Sequence, residues 1–206
     1  MSKHKFNNIL LTGAAGALGE QLRKTLSKNC NLLKISDKEK LFKKFENEKV
    51  NQADLSSAEA MIDLTKNIDC VVHMGGQSIE GSWSNVLNSN IIGMYNLYEG
   101  CRKNNVKRVI WASSVHTVGF YPRSEIIDSK VPPRPDSNYG LSKVFGESLK
   151  IKTFPRCKFS KSFIVNNQRN IMSTSTHICC KCEHFITLIF SYIFSTPLIC
   201  SFRIFH

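Results

Sequence analysis

A glycine-rich turn between an apolar strand and a helix is the feature that most constrains how this chain folds. Residues 12–19 read TGAAGALG and come directly after the apolar run of residues 8–12. Leucines then recur at every fourth position over residues 18–26, the spacing of one helix face. The start of a helix offers free N–H groups and the positive end of the helix dipole, both of which suit phosphate groups. The pattern therefore predicts a strand–turn–helix unit that binds a dinucleotide.

Each glycine of the turn has a predicted task. Gly13 permits the tight turn, Gly16 lets the backbone approach a pyrophosphate, and Gly19 lets the helix pack close to the sheet. The spacing is Gly-x-x-Gly-x-x-Gly rather than the commoner Gly-x-Gly-x-x-Gly. We predict cofactor contacts from Gly13, Gly16, Leu18 and Gly19.

Two acidic residues are candidates for the nucleoside end of the cofactor. Asp37 ends the next apolar run, where a carboxylate accepts hydrogen bonds from ribose hydroxyls and repels a 2′-phosphate. This favours NAD over NADP, although the neighbouring Lys38 weakens the preference. Asp54 precedes a helical pattern, so that it either meets the adenine edge or caps that helix.

Short apolar runs alternate with helical patterns through the first 150 residues. This alternation predicts βαβ units and an α/β fold with a doubly wound parallel sheet, whose ligand crevice lies at the carboxyl ends of the strands. Residues 38–49 are predicted to be charged surface, and three prolines make residues 131–136 a loop. The strands are predicted at residues 8–12, 32–36, 69–74 and 109–114, and the helices at residues 18–26, 55–62, 88–101 and 139–150, the last capped by Ser137 or Asn138.

Tyr139 and Lys143 are the candidate acid–base pair. Four residues apart, they share one face of a helix, and a nearby ammonium is expected to lower the phenol pKa. A phenolate there takes a proton from a substrate hydroxyl while hydride leaves the same carbon. Ser114, at the end of a predicted strand, supplies a hydroxyl that completes the set.

The order of these motifs resembles the extended short-chain dehydrogenase/reductase superfamily, also called the NAD-dependent epimerase/dehydratases, and within it the uronate dehydrogenases. The resemblance covers roughly residues 8–150 and implies a Rossmann-type domain with NAD as cofactor. The segments after Gly76 and around His116 point to the branch that oxidises hexuronates. The resemblance is carried by LTGAAGALG at 11–19, HMGGQS at 73–78, NIIGMYNLYE at 90–99, ASSVHTVGFYP at 112–122, RPD at 134–136 and YGLSKVFGE at 139–147.

The resemblance also implies a role for individual residues. Tyr139 is the catalytic base, Lys143 supports it and holds the nicotinamide ribose, and Ser114 orients the hydroxyl that is oxidised. Gly75 passes close to the cofactor, Ser78 and His116 line the substrate pocket, and Asn90 matches an asparagine that supports proton relay. The family usually has Asn where this chain has Val115, which removes a substrate hydrogen bond worth roughly 1–3 kcal/mol.

Residues 151–206 have a different composition and are predicted to form a diverged or shortened tail. All 11 glycines of the chain precede this segment, and residues 152–184 carry no clean strand or helix pattern. Arg169 faintly matches a family arginine that grips a substrate carboxylate, with a solvated charge as the other reading. The apolar residues 185–199 are shorter than a membrane span and contain Pro197, which favours a buried helix. We expect no metal site, because His177, Cys179, Cys180, Cys182 and His184 lack zinc-ligand spacing.

The remaining properties limit the choice of function. The chain has a formal net charge of +12 but no basic helix or basic–aromatic stripe, so we predict no nucleic-acid partner. No secretory signal is seen, and the eight cysteines are interpreted as reduced thiols of a cytoplasmic protein. The expected partner is a small sugar acid, with homodimerisation suggested by analogy alone. The leading hypothesis is oxidation of galacturonate or glucuronate at C1 to an aldarolactone, and the alternatives are a nucleotide-sugar epimerase or reductase and an NAD-binding relic without turnover.

Overall fold

The computed structural model describes residues 6–128, 131–153 and 161–165. Its strands form one parallel sheet in the order β3-β2-β1-β4-β5-β6. The crossover between the two halves lies at β1 and β4, where the strand order reverses, which confirms the predicted doubly wound α/β fold. The strands are β1 (Asn8–Thr12), β2 (Leu32–Asp37), β3 (Glu48–Gln52), β4 (Cys70–His73), β5 (Arg108–Ser114) and β6 (Lys161–Val165).

Helices cover both faces of the sheet. The helices are α1 (Ala17–Ser27), α2 (Ala58–Leu64), α3 (Trp83–Val86), α4 (Gly93–Lys103) and α5 (Asn138–Thr153). A π-helical segment, Leu87–Ile92, joins α3 to α4, and a 3₁₀ turn, Val115–Val118, follows β5. The helix predicted over residues 88–101 is therefore interrupted, in its first part, by a π-helical turn.

Alternating strand residues divide the core into two layers. In β1, Ile9 and Leu11 face α1, while Leu10 faces α2 and α4. The layer beneath α1 includes Leu22 and Leu26 of that helix, which have at most 1% of their surface exposed. Burying each such leucine contributes about 1.5–3 kcal/mol to the stability of the fold. This burial holds α1 against the sheet.

Two strands were missed by the sequence pattern. Glu48 and Lys49, predicted to be charged surface, begin β3, where the buried Glu48 carboxylate receives two hydrogen bonds of 2.8 Å from the Arg23 guanidinium of α1. Pairing of the two charges compensates for their removal from water. β6 pairs with β5 in a region predicted to have no clean strand, so the prediction for residues 161–165 was wrong.

Helix starts follow local capping. The Ser137 hydroxyl accepts a hydrogen bond of 3.0 Å from the amide of Gly140, which selects Ser137 over Asn138 as the cap of α5. The Ser57 hydroxyl accepts in the same way from Ala60 at 3.2 Å and begins α2 three residues later than predicted.

Several predictions concern parts of the chain beyond these residues. Arg169, the five candidate zinc ligands and the apolar residues 185–199 lie outside the described ranges. Within those ranges, no helix is long and apolar enough to cross a membrane, and no cluster of metal-ligating side chains is found. The predicted boundary between the NAD-binding domain and the tail, at residue 150, falls within α5, which continues to Thr153. β6, which follows that boundary, belongs to the same sheet as β1. The division into these two parts stays a prediction.

Candidate active site

A groove of about 720 Å³ follows the carboxyl ends of β1, β2 and β4. It is bordered by the glycine turn, by the end of β2 and by the loop that follows β4. This is the crevice position expected for a ligand of a doubly wound sheet. Among the predicted cofactor residues described by the structure, the groove is lined by Gly13, Gly16, Leu18, Gly19, Asp37, Asp54 and Gly75.

Two glycines of the turn are required by the fold itself. Gly13 has φ +70°, a left-handed conformation, and a Cβ there would lie 2.4 Å from the carbonyl carbon of Met74. A Cβ on Gly19 would lie 2.0 Å from the Gly13 carbonyl oxygen. Gly19 therefore packs α1 against the turn itself.

Gly16 differs from these two glycines because the protein leaves room for a side chain. A Cβ there would have one near neighbour, the Gly13 carbonyl oxygen at 3.4 Å, which is ordinary contact distance. Its φ of −73° is also open to any residue. A bare backbone at the helix start, bordering the groove, fits a phosphate group approaching from the groove side.

The acids at the groove have partners within the protein. One Asp37 carboxylate oxygen accepts from the Ala15 amide at 3.0 Å, and the other accepts from the Glu39 amide at 3.2 Å. Asp37 thus ties the glycine turn to the end of β2. The Asp54 carboxylate accepts from both the amide and the hydroxyl of Ser56 at 2.8 Å, which lowers the Asp54 pKa. The α2 cap is Ser57, so capping of that helix does not explain Asp54.

Tyr139, Ser114 and Lys143 come together where α5 begins and β5 ends. Burial raises the pKa of the Tyr139 phenol, and the smaller, opposing influence is hydrogen bonding by the Ser114 side chain. The net direction is the opposite of the lowering expected beside Lys143, because loss of solvation of the phenolate is the largest effect.

Lys143 is half-buried beside this pair. Its ammonium donates to the Ala112 carbonyl at 2.9 Å and lies 5.2 Å from the ring centroids of both Tyr139 and Trp111. Burial lowers the pKa of Lys143 to about 8. Burial, and secondarily the charge of Lys143, lowers the pKa of His73 to about 3, so His73 is neutral and hydrogen-bonded to the Thr12 hydroxyl at 2.6 Å.

The loop of residues 75–82 connects the groove to these catalytic candidates. Tyr139, Ser114 and His116 do not line the groove, whereas Gln77 and Ser78 of the loop do. Asn90, from the π-helical segment, accepts from the Gln77 amide at 2.7 Å and donates to the Gln77 carbonyl at 3.0 Å.

The same Asn90 amide group also reaches α5. It donates to the Ser142 hydroxyl at 3.0 Å, and that hydroxyl donates to the Tyr139 carbonyl at 2.7 Å. Asn90 therefore holds both the loop and the helix that carries Tyr139. Its predicted role in proton relay stays a prediction.

Two contacts of the loop and of the proline-rich segment were not predicted from the sequence. The Glu80 carboxylate accepts a hydrogen bond from the Tyr139 amide at 2.9 Å, and Asp136 contacts His116 through Nδ1 at 2.8 Å. The His116 ring stands at 75° to the Tyr139 ring, with centroids 5.7 Å apart. The only sequence signal for Asp136 was its place in the RPD motif, and Glu80 had none.

The residues along the groove fit a dinucleotide. Gly16, where packing leaves room for a side chain, borders the groove at the start of α1. The Asp37 carboxylate ends β2, where ribose hydroxyls are expected. With a Tyr-x-x-x-Lys pair on the helix after β5, this fold and site define the short-chain dehydrogenase/reductase class. Residues 9–156 match the model of the NAD dependent epimerase/dehydratase family, and the chain belongs to that family.

Several relatives of the chain are uronate dehydrogenases. The chain is 41% identical over 177 residues to a uronate dehydrogenase of Pseudomonas syringae pv. tomato, covering 82% of this chain and 64% of the relative. It is 40% identical over 141 residues to a uronate dehydrogenase of Agrobacterium fabrum, covering 68% of this chain and 53% of the relative. The chain thus spans between half and two thirds of the length of these relatives.

Solved structures agree with this similarity. A mutated uronate dehydrogenase superposes with a TM-score of 0.84 at 36% identity, covering 97% of this chain and 74% of that one. A mutant of the Agrobacterium tumefaciens uronate dehydrogenase, complexed with NAD, superposes with a TM-score of 0.81 at 33% identity, covering 96% of this chain and 76% of that one.

Proposed function

We propose that this chain is an NAD-dependent dehydrogenase that oxidises a hexuronate, such as galacturonate or glucuronate, at C1 to an aldarolactone. The observation that carries the proposal is the similarity to uronate dehydrogenases over most of the chain, with Tyr139, Ser114 and Lys143 brought together where β5 ends and α5 begins. Because the chain spans only part of the length of these relatives, their activity is assigned to it as a proposal.

The cofactor would lie along the groove. Gly13, Gly16, Leu18 and Gly19 would hold the pyrophosphate against the start of α1, where free amides and the helix dipole favour negative charge. Asp37 would accept hydrogen bonds from the adenosine ribose, and its carboxylate disfavours a 2′-phosphate. Asp54 would lie beside the adenine, while Gly75 and Lys143 would contact the nicotinamide half.

The chemistry at the substrate carbon divides between the cofactor and three side chains. Bound NAD supplies the acceptor for the hydride that leaves C1. Tyr139, as phenolate, takes the proton of the C1 hydroxyl, so that the C1–O bond becomes the carbonyl of the lactone. Ser114 hydrogen-bonds the same oxygen and orients it. Lys143, at 5.2 Å from the Tyr139 ring centroid, stabilises the phenolate.

The substrate would be held from the loop and from the 3₁₀ turn after β5. Ser78 borders the groove and is exposed to it, and His116 stands beside the Tyr139 ring. Arg169 is proposed to hold the carboxylate. Val115, where an asparagine is usual in the family, offers no hydrogen bond to a sugar hydroxyl, so discrimination between galacturonate and glucuronate would depend on the other contacts.

Tryptophan fluorescence and NADH absorbance test the proposal. The chain has two tryptophans, of which Trp111 lies within 5.2 Å of Lys143, so NAD binding is expected to change the emission. Adding galacturonate or glucuronate to the NAD complex is then expected to produce NADH, whereas the neutral sugars galactose and glucose are not. Binding without NADH formation from either uronate would overturn the proposed reaction and favour a binding protein without turnover.

Tyr139→Phe isolates the proposed base. We expect turnover to be lost while NAD still binds, because the ring and its packing remain and only the hydroxyl is removed. Tyr121→Phe is the matched control: its hydroxyl donates to the Pro132 carbonyl in an exposed loop, and its loss is expected to leave turnover unchanged. Undiminished turnover in Tyr139→Phe would exclude Tyr139 as the base.

A further inference from the structure

Trp111 of β5 lies next to Lys143, although the proposed reaction assigns it no role. The residue is fully buried. The Lys143 ammonium lies over the indole ring, 5.2 Å from the ring centroid, and donates to the Ala112 carbonyl of the same strand at 2.9 Å. The ammonium also lies over the Tyr139 ring, 5.2 Å from its centroid. Two aromatic rings therefore contact this one cation.

The helix opposite the indole leaves room for it. Gly146 follows Lys143 by three residues on α5, and a Cβ there would lie 2.7 Å from Cη2 and 3.0 Å from Cζ2 of Trp111. The outer edge of the indole therefore occupies the space of a missing side chain. Leu149, three residues further along the helix, belongs to the same buried cluster as Trp111. Trp111 thus fixes where α5 packs on β5, within one turn of Lys143.

Hydrogen bonding does not explain an indole at this position. The Nε1 atom of Trp111 is buried and has no hydrogen-bond partner among the residues that the structure describes. A buried donor without a partner is unfavourable relative to an apolar ring of similar shape. What the indole offers here is its π face, which attracts a cation more strongly than the ring of Phe or Tyr does.

We propose that Trp111 is a positioning residue of the active site, whose ring face holds the Lys143 ammonium beside Tyr139 and stabilises the charged form of that ammonium. The inference rests on the proposed function, because the ammonium stabilises the Tyr139 phenolate only while it is charged. Loss of solvation lowers the pKa of Lys143 to about 8, and the indole limits this decrease.

Two titratable side chains face the ammonium, and a third lies one turn away on α5. Burial raises the pKa of the Tyr139 phenol above its usual value, and His73 of β4, with a pKa of about 3, is neutral. The third is Glu147, whose carboxylate accepts from the Ser113 hydroxyl at 2.6 Å. Neither the phenol nor the imidazole titrates near pH 8, so a titration there is expected to come from Lys143.

Trp111 fluorescence tests the contact without depending on turnover. The chain has two tryptophans, so Trp83→Phe leaves Trp111 as the only one in the full chain. We expect its emission to change with a midpoint at about pH 8, because loss of the ammonium charge alters the field at the indole. Adding Lys143→Met is expected to remove this step. Constant emission between about pH 6.5 and 9.5, or an equal step in the Lys143→Met protein, would overturn the inference.

Carbon-13 NMR of lysine side chains measures the pKa of Lys143, whose signal is identified by its loss in Lys143→Met. We expect Trp111→Leu to lower this pKa from about 8 to about 7, because a cation–π contact away from water is lost. Trp111→Phe keeps a weaker ring face and is expected to lower it less. Trp83→Leu, at an exposed position of α3, is the matched control and is expected to leave this pKa unchanged. An unchanged or raised pKa in Trp111→Leu would refute the positioning role.

Kinetics test whether this charge serves the reaction. The ratio of wild-type kcat to that of Trp111→Leu is expected to rise from near unity at about pH 6.5 to about fivefold at about pH 8, because Lys143 loses its charge earlier in the variant. Tyr139 is present in both proteins, so its own titration cancels in the ratio. A ratio that is constant with pH would indicate a packing defect alone and contradict the inference. Should the wild-type chain oxidise neither uronate, the proposed function fails, and the NMR titration still decides whether Trp111 stabilises the charge of Lys143.

Discussion

The Lys143 ammonium lies 5.2 Å from the centroid of the Tyr139 ring and donates its hydrogen bond to the Ala112 carbonyl, 2.9 Å away on β5. Both residues are half-buried, and loss of solvation opposes their charged forms: the pKa of Lys143 is lowered to about 8, and that of Tyr139 is raised. The pair is therefore a source of pH dependence in both stability and activity.

Replacing Lys143 by methionine is expected to flatten the rise of stability with pH. The folded-state pKa of about 8 lies below the usual value of 10.5, so the unfolded chain holds more protons between these values and the free energy of unfolding rises with pH. We expect the wild-type free energy of unfolding to rise by about 2 kcal/mol relative to Lys143→Met between about pH 7 and 9.5. Urea unfolding of both proteins at several pH values measures this, and parallel curves would contradict the buried ammonium.

Alanine substitutions at Gly13 and Gly16 are expected to have opposite consequences. Gly16→Ala leaves the fold intact, because its Cβ meets a neighbour only at 3.4 Å, but weakens NAD binding at least about tenfold by crowding the pyrophosphate. Gly13→Ala prevents folding, because its Cβ would lie 2.4 Å from the Met74 backbone and φ is +70°. Thermal unfolding and fluorescence titration with NAD distinguish the two, and full NAD affinity in Gly16→Ala would place the phosphates elsewhere.

Glu48→Gln is expected to lower the free energy of unfolding by about 3 kcal/mol, because it leaves the buried Arg23 guanidinium with only the partly exposed Glu20 as its countercharge. The two side chains have 1% and 0% of their surface exposed. Asp63→Asn breaks an exposed ion pair with Lys66 and is expected to have no measurable effect. Equal effects of the two substitutions in urea unfolding would show that burial does not govern the Arg23–Glu48 pair.

Glu80→Ala is expected to raise KM for the uronate about fivefold while NAD affinity stays unchanged. The Glu80 carboxylate holds the loop of residues 75–82 against the Tyr139 amide, so its removal loosens the loop that presents Ser78. Glu80→Gln retains an acceptor for the same amide and is expected to lose less. Glu59→Ala, at an exposed position of α2, serves as the control in steady-state kinetics. A fivefold loss of NAD affinity instead would show that Glu80 supports the cofactor side of the loop, at Gly75, rather than Ser78.

Hydrophobic periodicity was sufficient to predict most of the sheet. β1, β2, β4 and β5 are short apolar runs, and their predicted ends agree with the structure to within about two residues. Periodicity failed at β3, whose sequence EKVNQ has one apolar residue. That strand is held by the contact of Glu48 with Arg23, 25 residues away, and no local pattern reports such a pairing.

The candidate site divides in the same way. The sequence was enough to predict the glycine turn, the acid at the end of β2 and the shared helix face of Tyr139 and Lys143, because each depends on the geometry of one turn or one helix. Three features could be found only in the folded chain: burial raises the Tyr139 pKa, Asp136 contacts His116, and Glu80 accepts from the Tyr139 amide across 59 residues. Desolvation and long-range hydrogen bonds depend on which segments pack together, and that packing is a property of the whole fold.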